Sequence, residues 1–127
     1  MINVKPQSAI IGVLIVLATG IGFWAFTQKT TTPSPLTGYE YFWGDGCPHC
    51  TVVEEFLSTW DGRDKIKIEK KEVWKNTANS RVLGARAASC NIPQNELGVP
   101  LLVTPEGQCI VGDQPIIEHL KNLNVNK

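Results

Sequence analysis

Tyr39-Glu40-Tyr41-Phe42-Trp43-Gly44-Asp45-Gly46-Cys47-Pro48-His49-Cys50 is the stretch on which the rest of the chain can be ordered. Tyr39 to Trp43 is apolar on both faces apart from Glu40, as a strand inside an α/β sheet should be. Thr51 to Trp60 follows as an amphipathic helix opened by Cys47 or Pro48, with Val53, Leu57 and Trp60, joined by Val52 and Phe56, on its apolar stripe. The CxxC therefore stands at a strand-to-helix junction. There the first sulfur meets unpaired backbone N–H groups and the positive end of the helix dipole, both of which favour a thiolate. Two thiols so placed can close a small disulfide ring and reopen it, which is the chemistry of thiol–disulfide exchange.

Downstream, Lys65 to Glu69 alternates at period two and reads as a second strand. Asn76 to Ser89 reads as a second helix with Val82, Leu83, Ala85 and Ala88 toward the core. Leu101-Leu102-Val103 and Cys109-Ile110-Val111 are short apolar strands on either side of Pro105-Glu106-Gly107, turn chemistry that implies an antiparallel hairpin. Pro115 to Leu123 closes the chain as a helix with Ile116, Ile117, Leu120 and Leu123 on one face. A βαβ unit followed by a hairpin and a helix predicts a four-stranded mixed sheet with helices on both faces.

The chain has 127 residues, room for one small domain and an appendage. Its formal net charge of zero offers no electrostatic case for nucleic acid. The charge is unevenly placed: all 12 Asp and Glu lie at or after Glu40, whereas Lys5 and Lys29 are the only charged side chains before it. Ser8 to Phe26 is an uncharged run of 19 residues, close to the ~20 a helix needs to cross a bilayer, with Phe23, Trp24 and Phe26 placed as an interfacial anchor. A cleaved signal peptide is the rival reading, but the apolar run exceeds the usual ~7–15 residues and no Ala-x-Ala site follows. The expected organisation is a short tail over 1–7, a transmembrane anchor over 8–26, a Thr/Ser/Pro linker over 27–37 and a domain over 38–127. Four cysteines including an exchange-type pair suit an oxidising space, which places the domain on the periplasmic or extracellular side.

At this point the chain resembles the thioredoxin-like superfamily in its compact, glutaredoxin-sized form. Cys47-Pro48-His49-Cys50 after the first strand, Gly98-Val99-Pro100 before the third, and the order of hairpin and closing helix carry the resemblance over residues 38–123. The CPHC tetrapeptide with a valine before the proline is most similar to DsbA-type oxidases and to the thioredoxin domains linked to vitamin K epoxide reductase homologues. The resemblance implies that Cys47 is the exposed nucleophile, Cys50 the buried resolving thiol, and Pro48 and His49 part of the same site. It further implies that Pro100 is a cis proline beside the disulfide, and that the Val99 backbone is open to an extended substrate segment. Two positions depart from the pattern. Where many thioredoxins have a buried acid on the strand, this chain has Tyr41, with Glu40 one position off and facing the other way. The residue before the nucleophile, often aromatic, is Gly46.

His49 in the first helical turn can donate to the Cys47 thiolate, which would stabilise the reduced form and make the disulfide the better oxidant. Cys90 and Cys109 have three readings: a structural disulfide, two buried free thiols, or a second redox pair. Zinc would need four ligands, and Cys90, Cys109 and His119 make no second pair with the required spacing. His119 reads as a solvated helix residue, Trp60 and Trp74 as packing, and Lys65, Lys67, Lys70 and Lys71 as a solvated strand edge. No cofactor or metal is implied. The leading expectation is a membrane-anchored extracytoplasmic thiol–disulfide oxidoreductase, with cysteine-bearing proteins as substrates, a membrane redox partner and a lean toward disulfide donation. The alternatives are a thioredoxin-like reductase, a non-enzymatic interaction module, and a Cu(I) chaperone, against which the rigid proline and the lack of nearby methionine speak.

Overall fold

The computed structural model describes residues 33–123. The anchor expected over 8–26, the tail before it and most of the linker lie outside the described residues. Within them no helix is long and apolar enough to cross a membrane.

Four strands form one sheet in the order β2-β1-β3-β4, where β1 is Tyr39–Trp43, β2 Ile68–Glu72, β3 Leu101–Val103 and β4 Cys109–Val111. β1 pairs parallel with β2 and antiparallel with β3, which pairs antiparallel with β4. Among the described residues three α-helices, α1 (Pro48–Thr59), α2 (Thr77–Ser89) and α3 (Asp113–Lys121), cover the sheet, with a 3-10 turn at Gln94–Glu96. The mixed sheet expected from the sequence is thus present.

Strand alternation sorts the core into two layers. Tyr39, Tyr41 and Leu102 pack with Val53 and Leu57 of α1 and Ile116 and Leu120 of α3. Phe42, Leu101 and Val103 face the other way onto Leu83 of α2 and Val73. Each fully buried aliphatic side chain contributes about 1.5–3 kcal/mol through the water it leaves. Glu40 shares the second layer and is also buried. It takes Nε of Arg86 at 2.7 Å and Nη2 at 3.2 Å, a two-pronged pair across the sheet–helix interface.

The structure corrects several sequence expectations. β2 begins three residues later than Lys65, because residues 62–65 form a turn closed by Lys65 N–H to the Gly62 carbonyl. Its polar C-terminal half is acceptable at a sheet edge, where Lys70 pairs with Glu54 and Lys71 with Glu69. α3 begins at Asp113 rather than Pro115; a proline is tolerated in a first turn, where the missing N–H has no helical partner. In α2 the buried positions are Leu83, Arg86 and Ala87, while Ala88 is exposed. Asn76 is the cap of that helix, its side chain accepting the Asn79 N–H at 3.1 Å. Val52 stands outside the α1 stripe in solvent. His119 is half-buried, its Nε2 3.3 Å from the Tyr39 hydroxyl. Trp74 is 59% exposed.

Candidate active site

β1 ends at Trp43, and the turn Gly44-Asp45-Gly46 delivers Cys47 to the start of α1, the Cys47 N–H bonding the Gly44 carbonyl at 3.1 Å. Gly44 lets the Trp74 indole rest on the turn; a Cβ there would collide with the ring and force it to move. Gly46 has φ of 84°, in the left-handed region that favours glycine. The turn is held from below by Glu72, whose carboxylate accepts backbone N–H groups of Asp45, Trp74, Lys75 and Asn76. Burial works against that charge, but the four N–H donors prevail and hold the carboxyl below its usual range.

Cys47 is the N-cap of α1 and Pro48 its first residue. The Cys47 sulfur accepts the Cys50 N–H at 3.1 Å and is bonded to the Cys50 sulfur. A backbone donor thus already points at the atom that carries charge after reduction, at the end of the helix where negative charge is favoured. Cys50 exposes 2% of its surface and Cys47 only 5%. The expectation of an exposed Cys47 is therefore corrected: in the disulfide form both sulfurs are largely enclosed. One wall is the Val99–Pro100 segment, whose peptide bond is cis and whose Val99 carbonyl oxygen lies 3.8 Å from the Cys47 sulfur. The Pro100 carbonyl accepts the Gly112 N–H at 3.0 Å, which ties this segment to the start of α3. Among the described residues the Val99 N–H has no hydrogen-bond partner.

The structure brings together Cys47, Cys50, Pro48, Val99 and Pro100, but turns His49 aside. Its side chain is 73% exposed, and Nδ1 lies 3.1 Å from Oδ2 of Asp113 rather than against either sulfur. Asp113 is also oriented by the Gln114 N–H at 2.8 Å, and its carboxyl is held below the usual range first by His49 and then by that N–H. Sequence reasoning missed Asp113, because the helix was expected to open two residues later. It also missed Glu54, one turn beyond Cys50. One carboxylate oxygen of Glu54 takes Nζ of Lys70 and the other is buried without a hydrogen-bond partner. The position of Glu54 at i+4 from Cys50 was the available signal. Tyr41, in the place of the strand acid, donates its hydroxyl to the Cys50 carbonyl at 3.3 Å; burial, with Glu54 adding to it, pushes its pKa well up, so it stays a neutral donor.

Cys90, at the C-terminus of α2, is disulfide-bonded to Cys109 at the start of β4, which sets aside the reading as two free thiols; a structural disulfide and a second redox pair both fit the bond. Among the described residues no group of three or more His, Cys, Asp or Glu side chains is arranged to hold a metal ion.

The sequence matches no family model and no curated protein. Among solved structures it is similar to the crystal structure of a single-residue mutant of the thioredoxin-like protein BC3987, at 26% identity over 67% of this chain and 96% of that one, with a TM-score of 0.46. The strand order β2-β1-β3-β4, a CxxC capping the helix after the central strand, and a cis proline facing it together make residues 38–123 a thioredoxin-like α/β fold. Its Cys47–Cys50 pair fits thiol–disulfide redox chemistry.

Proposed function

We propose that this chain is a membrane-anchored, extracytoplasmic thiol–disulfide oxidoreductase that donates its Cys47–Cys50 disulfide to cysteine-bearing proteins. The observation that carries the reading is the capping of α1 by the Cys47 sulfur, with the Cys50 N–H directed at it. A sulfur in that position is a good leaving group and a stabilised thiolate. A client thiolate attacks the Cys47 sulfur; the Cys47–Cys50 bond breaks, and Cys50 leaves as a thiolate that takes a proton. A second client thiolate then attacks the client sulfur of the mixed disulfide and releases Cys47 as a thiolate. The client loses two electrons and forms a disulfide, while the protein gains both as its dithiol. The Val99 N–H would receive the client backbone during this exchange. The apolar run over 8–26 supports an anchor that keeps the domain near a membrane electron acceptor able to reoxidise the pair.

Mixing the oxidised full chain with a reduced, unfolded client protein tests the reading. Each chain should deliver close to one disulfide to the client, and Cys47→Ser should deliver none. Client thiols left untouched by the wild type would overturn it. A reductase is the second reading, favoured by the seating of His49 on Asp113 rather than on the sulfur. In that case the dithiol form would reduce insulin disulfides faster than the disulfide form oxidises clients.

A further inference from the structure

Asp113 lies 64 residues from His49 in sequence, yet its carboxylate meets the one ionisable side chain between the two site cysteines at 3.1 Å. Its placement is built rather than loose. Gly112, at φ 93°, turns the chain into α3 and donates its N–H to the Pro100 carbonyl; Asp113 follows as the first helical residue, and the Gln114 N–H fixes its other oxygen. The loop that presses Val99 against the Cys47 sulfur therefore also delivers Asp113 to His49.

We propose that Asp113 is a positioning residue of the redox site: it holds His49 toward α3 and so limits the positive charge that reaches the Cys47 sulfur. This rests on reading Cys47–Cys50 as an exchange pair. An imidazolium alone would attract a thiolate; an imidazolium locked to a carboxylate is a near-neutral pair whose field falls off quickly. Asp113 is the charged group that the structure sets against His49 from a neighbouring element. The Val99–Pro100 segment brings no ionisable side chain, and the remaining titratable groups of the motif are the two cysteines. The motif by itself therefore overstates how strongly this site favours its reduced form. His49 acts on the sulfur at full strength only when the carboxylate is removed or protonated.

The test is a titration of the reduced full chain, following thiolate absorbance against pH in the wild type, Asp113→Asn, His49→Ala and the double variant. Asp113→Asn should raise the acid dissociation constant of the Cys47 thiol about three- to tenfold. In the His49→Ala background the same substitution should change it by no more than about twofold. An unchanged constant in Asp113→Asn, or an equal change with and without His49, would overturn the proposal. Asp113→Ser removes the same charge and serves if the asparagine variant does not fold. The titration requires no client turnover, so its outcome is separate from that of the client-oxidation experiment. Inert wild-type sulfurs there would sink the functional reading, whereas a silent Asp113 here would sink only this one.

Discussion

Arg86 enters the interior with its guanidinium and meets three acceptors there: both carboxylate oxygens of Glu40 and the carbonyl of Ser34. Removing Arg86 leaves the buried Glu40 carboxylate with Lys71, whose Nζ lies 3.8 Å from Oε1, as its remaining cation. Arg86→Ala should therefore lower stability by about 1–3 kcal/mol, read from the urea midpoint, because two charge-assisted hydrogen bonds to Glu40 are lost while Lys71 remains, whereas Glu40→Leu with Arg86→Met should cost less. A loss below about 1 kcal/mol for the single variant would show that water already reaches Glu40. This pair was half legible. The sequence placed Glu40 on the face opposite Tyr41, but nothing local marks an arginine in a helix as buried, and Ala88 was the expected core position instead of Ala87. The same limit applies at the redox site. Cys47, Cys50, Pro48 and the Val99–Pro100 segment could be found from spacing and resemblance. The partner of His49 could not, because Asp113 reaches it only through the tertiary tie between Gly112 and Pro100.

At the scale of elements, the Cys90–Cys109 disulfide joins the end of α2 to the outer strand β4 across 19 positions of sequence. A closed loop of that length restricts the unfolded chain and is worth about 3 kcal/mol. Replacing both cysteines by alanine should lower the unfolding free energy by about that amount and leave exchange at Cys47–Cys50 intact. Loss of client oxidation in this variant would instead return the pair to the relay reading. The elements themselves were legible wherever the apolar pattern is strong, as in β1, the β3–β4 hairpin and the buried face of α1. β2 was displaced by three residues because Ile66 and Ile68 both pack on the core and preserve the alternation, although Ile66 does so from the bend after the turn. Pairing with β1, which sets Ile68 opposite Tyr39, decides the boundary, and that is not local information.

For the molecule as a whole, the titrating groups set a direction. The carboxyls of Asp45, Glu69, Glu72, Glu106 and Asp113 are all held below their ordinary values of 3.8 or 4.5, by lysine, hydroxyl, backbone N–H or imidazole partners. A carboxyl with a lowered folded-state pKa leaves the unfolded chain binding more protons, so its stabilisation is present above the unfolded value and is lost as pH falls through the folded one. Stability should therefore hold near neutrality and decline below about pH 4.5, more gently at high salt because Asp45, Glu69 and Glu106 are exposed. Thermal melts from pH 7 to pH 3 at two ionic strengths check this; a midpoint that rises on acidification would contradict it. The central claim concerns the poise of one disulfide. Equilibrating the full chain with glutathione gives the reduction potential of Cys47–Cys50 directly. A disulfide donor requires a value above about −180 mV, toward the range of strong oxidases near −120 mV; a value near −270 mV, where thioredoxin-type reductases lie, would contradict the account.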